Sequence, residues 1–319
     1  MFVTQAAAWP FQQAAFTDRQ EDLAAPSSLR TKVIQKVKPP KEIVKCRPHG
    51  HFAPTVATPY EFLTTCTLPL PRSSMWQIDT EIFFARTKGH VRYLAGAFQM
   101  GYALGTERDV DLNSDLGMPE HSVVPTFTAM YRFRPHWGIR YSITHMVRDG
   151  SGSAGRSFTF GTTTFSPGQP TRVKWESLYQ RAGVFYDPIR TYTTRVTAFG
   201  DYVRIDDKIA VSQGFAGGTV TMDNDVNMAM TGLEFERCLK TMPSCNTLSI
   251  ECRAGVGFLD DAVGSDLSTG LKYSVSLNNG RWGFISGGYR YVSYKKKYSD
   301  AKAFDTAMEG GYLQMGVVF

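Results

Sequence analysis

Between residues 109 and 120, DVDLNSDLGMPE, oxygen-bearing side chains fall at positions 1, 3, 5, 7 and 12: Asp109, Asp111, Asn113, Asp115 and Glu120. Alternate oxygens closed by a distant bidentate glutamate are what a hard cation needs, so calcium is the candidate ion, with no cofactor strictly required. The pattern departs at position 6, where Ser114 stands in place of the turn-forming glycine. A second constellation carries acid–base chemistry: Asp260 with Asp261, and His145 with Asp149, groups able to activate a water if they met at one rim. His145 falls on the outward register of its strand and no Gly-x-Ser-x-Gly appears, so the expectation is a protein that is not an enzyme. Five cysteines make no Cys-x-x-Cys pattern, which argues against haem and clustered zinc. Cys238 and Cys245 bracket a short turn and suit a disulfide in an oxidising compartment; Cys46 then has Cys66 as its partner, and Cys252 is left as a small apolar residue. In CRPHGH, Cys46, His49 and His51 form a lone cluster in an irregular segment, read as incidental.

The largest set of reactive side chains is ionic. Asp79, Glu81, Glu234, Glu236 and Glu251 share a strand face with no aliphatic neighbours, and so do Arg132, Arg140, Arg181, Arg195, Arg253, Lys272 and Arg290. Stretches such as MWQIDTEIFFART alternate, with Trp76, Ile78, Ile82 and Phe84 on one face and Gln77, Asp79 and Glu81 on the other. HWGIRYSITHM, TLSIECRAGVGF and LSTGLKYSVSL repeat the pattern.

Ten strands follow, over 75–87, 122–134, 136–148, 174–187, 191–204, 226–238, 246–259, 266–277, 282–295 and 308–319. Each reaches the roughly 9 to 11 residues that a tilted strand needs to cross hydrocarbon. Short connections alternate with longer ones at 88–121, 149–173, 205–225, 260–265 and 296–307, which places both termini on one side. HVRYLAGAFQMGYALG could add a hairpin, so eight or twelve strands stay open. Mean hydropathy is only −0.24, as expected when apolar and polar faces alternate, and no apolar run is long enough for a spanning helix.

At the end of the sequence, Leu313, Met315, Val317 and Phe319 share one face. This alternation finishing in phenylalanine resembles the assembly signal of bacterial outer-membrane β-barrel proteins. The resemblance implies a closed antiparallel up-and-down transmembrane barrel over 75–319, in the outer membrane of a Gram-negative cell, both termini periplasmic. Outer-membrane lipid, lipopolysaccharide and the barrel-assembly machinery are the partners it implies. Enzymatic barrels of the outer-membrane protease kind set an acid pair against a His–Asp pair, and the outward register of His145 does not fit them.

Residues 1–74 read differently. Nine Lys or Arg face five acids, giving +4 of the total +6, and Pro39–Pro40 bars a continuous helix. Lys32, Lys36, Lys38, Lys41, Lys45 and Arg47 are the candidate contacts of this basic, mostly extended periplasmic leader with an acidic protein or peptidoglycan; no nucleic acid is expected. MFVTQAAAWPF lacks a basic start, yet Ala6–Ala8 suit the cleavage site of a longer export signal. With five acids facing seven bases, the lumen is expected to be bridged by salt links, to leave a plugged or narrow pore with slight anion bias, and to serve a structural or anchoring role. A small-solute channel is the alternative, and a surface hydrolase is the third reading.

Overall fold

The computed structural model describes residues 68–69, 74–94, 109–214, 217–242, 246–277, 281–299 and 302–319. The chain divides into two compact units, Met1–Ile43 and Val44–Phe319, and every described residue belongs to the second. Regular structure among them is all strand. Ten long strands make the wall: β1 (Met75–Tyr93), β3 (His121–Arg132), β4 (Trp137–Ser153), β7 (Pro170–Arg190), β8 (Thr194–Gln213), β9 (Thr219–Thr241), β10 (Thr247–Leu259), β11 (Ala262–Ser276), β12 (Trp282–Lys297) and β13 (Lys302–Val318). Three short ones, β2 (Val110–Asp111), β5 (Phe158–Phe160) and β6 (Thr163–Phe165), lie in the longer connections.

Each wall strand pairs antiparallel with its sequence neighbours in the wall, and β13 returns to β1 in register from Gln77↔Val318 to Tyr93↔Lys302. The sheet is therefore a closed barrel of ten strands, with no free edge. Four short connections (133–136, 191–193, 242–246 and 277–281) lie at the end where β1 starts, and the longer ones at the other. The expected 260–265 loop is only a two-residue turn. Asp260 and Asp261 both have positive φ, 47° and 65°, the conformation of a type I′ hairpin.

The barrel has two tiers, and the side-chain pattern inverts between them. Near the short turns, apolar residues point out: Trp76, Phe84, Ile139, Leu233, Leu271, Met315 and Val317 are exposed, while the charged residues point in. Toward the loops the alternation continues with the faces exchanged. Along β8, Val203, Ile205, Ile209 and Val211 are fully buried, and Arg204 and Lys208 face out; on β9, Met222, Val226 and Met228 are buried, and Asp223 and Asp225 face out. The expected 205–225 loop is thus mostly wall, since β8 and β9 stay paired from Thr194↔Arg237 to Ser212↔Thr219. Strands that leave an oily layer for water need the opposite burial, and these sequences supply it.

The loop-side lumen is filled. Phe158 and Phe165 of the β5–β6 hairpin stack at 4.8 Å, Phe160 packs edge-on against Tyr93 at 5.5 Å, and Phe304 lies against Trp175 and Tyr294 at 5.8 and 5.6 Å. Leu112, Leu116 and Met118, from the turn after β2, join this core.

Candidate functional site

The short-turn half of the lumen gathers the whole predicted ionic set. Arg140, on β4, forks onto Asp201 of β8 through Nε (2.9 Å) and Nη2 (2.5 Å) and also binds Glu234 of β9. Arg181, on β7, donates to Asp266 of β11 at 2.7 Å, and Arg290 of β12 reaches the same carboxylate at 3.1 and 3.2 Å while binding Glu81 across the β1 seam. Arg253 sits among them, with ion contacts of 3.4–3.6 Å to Glu234, Asp266 and Asp201. Four arginines thus interleave with two fully buried aspartates and two glutamates drawn from eight strands. The guanidinium groups of Arg140 and Arg253 lie over the Phe199 ring at 4.2 and 4.7 Å.

A second layer lies nearer the short turns. Glu236 accepts from Arg195 at 2.5 Å and from Ser249 at 3.1 Å, with Lys272 at 3.3 Å. Arg132 binds Asp187 at 2.8 Å, and Thr197 completes that carboxylate at 2.7 Å. Asp79 takes amide donors instead, Gln314 at 2.8 Å and Gln77 at 3.1 Å; Glu251 accepts from the Tyr312 hydroxyl at 3.1 Å. A cavity is lined by residues of both layers, among them Arg140, Arg181 and Arg290 of the first and Arg132, Glu236 and Lys272 of the second.

Sequence reasoning missed Asp187, Asp201 and Asp266. All three share the parity of inward residues already recognised, Arg181, Arg195 and Lys272 respectively, and lie inside the predicted strands 174–187, 191–204 and 266–277, so the alternation itself finds them. They reverse the expected charge balance. Eight carboxylates meet seven cations in this half of the lumen, which removes the basis for an anion-biased pore.

The other candidate sites do not assemble. The five oxygens expected around calcium are dispersed: Arg92 holds Asp109 (2.8 Å), Arg86 holds Glu120 (2.9 Å) and Arg156 holds Asp115 (2.8 Å). The Asp111 carboxylate caps its own turn by accepting from the Asn113 and Ser114 amides, and no group of three metal-ligating side chains occurs among the described residues. Native cations occupy the carboxylates that a metal would need. His145 and Asp149 are exposed on β4, and Asp260–Asp261 are spent on the β10–β11 turn, so no acid–base pair forms there. Cys238 lies near the end of β9 and is not a free thiol, whereas Cys252 is free; Cys245, Cys46 and Cys66 lie outside the described residues. Lys32, Lys36, Lys38, Lys41, Lys45 and Arg47 also lie outside them. Leu313, Met315, Val317 and Phe319 all point outward.

No family model matches the chain, and no curated protein does. Among solved structures it is similar to the outer membrane protease OmpT of Escherichia coli, with 8% identity over 77% of this chain and 96% of that one and a TM-score of 0.42. Similarity extends to Ail, the attachment invasion locus protein of Yersinia pestis (11% identity, 76% and 99% coverage, TM-score 0.33). It extends also to the beta domain of the Bordetella autotransporter BrkA (11%, 77% and 99%, TM-score 0.37). At these identities and scores they fix neither activity nor partner.

Proposed function

We propose that the chain is an outer-membrane β-barrel of a Gram-negative envelope that conducts nothing and turns over no substrate, and acts as a structural or anchoring component. The filled interior carries this reading: Phe158, Phe160, Phe165, Trp175 and Phe304 are fully buried above a belt of interlocked arginines and carboxylates. In this reading two successive stoppers, one oily and one ionic, close the lumen. Membrane residence is supported by the outward band. Trp76, Phe84, Val123, Ile139, Leu233, Val256, Phe258 and Val263 are all 45% exposed or more, far more contiguous apolar surface than a water-soluble wall carries. Closure satisfies the other requirement of hydrocarbon, that no backbone hydrogen-bonding group be left bare.

In this reading the short-turn end faces the periplasm, and the basic segment 1–74 contacts an acidic protein or peptidoglycan there, its positive charge steering the encounter. Planar-bilayer recording tests closure: the full chain should insert without steady current steps, and a regular open level would end the structural reading in favour of a channel. Affinity purification from solubilised native envelopes, with and without residues 1–74, tests the leader; identical captures would end its anchoring role.

A further inference from the structure

The seam between β3 and β4 is one that the fold leaves partly unzipped. β3 and β4 are in register from Tyr131↔Ile139 to Thr126↔Thr144 and no further. On their other sides both strands remain paired well past that point, β3 with β1 as far as Arg86↔His121 and β4 with β7 as far as Ser153↔Pro170. Pro125, the residue after the last rung, has no N–H to extend the ladder. The outward residues flanking the gap are apolar and bare: Val123 is 60% exposed and Val147 48%. The exposed Arg86–Glu120 ion pair sits just beyond them. The gap therefore lies where the apolar band gives way to charge, at the depth of lipid headgroups.

Behind it is an unanswered charge. Arg148 is 4% exposed; its Nη2 reaches the Pro119 carbonyl, and its Nε and Nη1 have no hydrogen-bond partner. The arginines of the ionic belt all have carboxylates, and Arg148 forms no ion pair among the described residues. Carrying the β3–β4 register onward places Ser122 opposite Arg148, and its buried Oγ is also unpartnered. One strand further, Thr87, whose amide donates to the Glu120 carbonyl, has an unpartnered buried Oγ1. Trp175, paired with Arg148 in the ladder and 5.6 Å from its guanidinium, backs the group on the lumen side. A buried guanidinium without a counter-charge among the described residues, on neighbouring strands to two buried idle hydroxyls, is a donor set for a phosphate oxyanion.

We propose that the β3–β4 seam is a lateral docking site for the phosphate headgroup of a membrane lipid, with Arg148, Ser122 and Thr87 on the phosphate and the acyl chains along Val123 and Val147. The site rests on the membrane reading above, so insertion is scored separately from binding. The full chain is placed in nanodiscs of phosphatidylcholine and titrated with dihexanoyl phosphatidate, dihexanoyl phosphatidylcholine and inorganic phosphate. Failure to enter the nanodisc defeats the membrane reading; an inserted protein that does not bind phosphatidate defeats this site. Phosphatidate should bind saturably at one site and raise the melting midpoint, and Arg148→Met should weaken that binding by about tenfold or more, with Arg148→Lys in between. Without lipid, Arg148→Met should melt no lower than the parent, since it removes an unpaired buried charge, whereas a merely structural arginine would give a drop. Equal phosphatidate affinity in Arg148→Met, or inorganic phosphate or phosphatidylcholine binding as tightly as phosphatidate, would overturn the proposal. Should Arg148→Met not fold, Val147→Trp covers the seam from the lipid side and must weaken phosphatidate binding; unchanged affinity there overturns it equally.

Discussion

Asp266→Asn is the sharpest perturbation of the ionic belt. The Asp266 carboxylate has no solvent exposure and holds three guanidinium groups: Arg181 at 2.7 Å, Arg290 at 3.1 and 3.2 Å, and Arg253 at 3.5 Å. Asparagine preserves the shape and removes the charge, leaving one acceptor oxygen and turning an NH2 donor toward guanidinium N–H groups. Two charge-assisted bonds are lost, each of about 1.5–3 kcal/mol, and the cations left behind are buried without their anion, so the expected cost is about 3–5 kcal/mol. Solvent screening does not reduce it, because every partner lies inside the wall. Equilibrium urea unfolding from lipid vesicles, followed by tryptophan fluorescence, measures it. In an Asp266→Asn background, Arg181→Met should restore stability, with a coupling of about 1 kcal/mol or more, since it removes a cation that has lost its partner. A shift under about 0.5 kcal/mol for Asp266→Asn, or strictly additive effects in the double variant, would refute the view that the belt is a mutually dependent network.

Other predictions probe the second tier and the loops. Trp175→Phe removes the indole donor to Asp207 (2.9 Å) and leaves that buried carboxylate with the hydroxyls of Ser177 and Tyr294; it should cost about 1–3 kcal/mol in the same unfolding assay. Replacing Asp260–Asp261 by Asn-Gly should raise stability by about 1 kcal/mol, because both positions already have positive φ; a loss would show that the two carboxylates make contacts beyond the turn. Chelating calcium should leave the melting midpoint of the purified protein unchanged, given the arginines on Asp109, Asp115 and Glu120, and a fall would restore the metal reading of residues 109–120. Replacing the β5–β6 hairpin by a short turn should leave the barrel folded and still silent in bilayers if the arginine belt closes the lumen by itself; open steps would assign closure to the hairpin alone.

Much was legible in the alternation. A period of two assigns a face to every residue of a strand without reference to its neighbours, which is why Asp79, Arg140, Glu236 and Arg290 could be placed inside and Ile139 and Leu271 outside from the sequence alone. Asp201 and Asp266 were readable by the same rule, since both lie inside the predicted strands 191–204 and 266–277; what the oily stretches did not reveal was how far those strands run. The inversion of faces hid that length. A segment such as RIDDKIAVSQ looks like a loop to a reading that seeks grease outside, yet it is wall whose grease points in.

Sequence alone thus pointed to the closed antiparallel architecture, to ten strands with eight or twelve still open, to the end at which the short turns lie and to twelve of the fifteen charges in the lumen, because backbone pleat and bilayer thickness are local constraints that every strand obeys separately. Tertiary structure decided the pairings. That Asp266 serves arginines from β7, β10 and β12, that a hairpin from the β4–β7 connection fills the upper lumen, and that β3 and β4 part above Thr126, depend on how ten strands are staggered around a ring. Stagger is a collective property of the closed sheet, set by all its registers at once, and no single strand contains it.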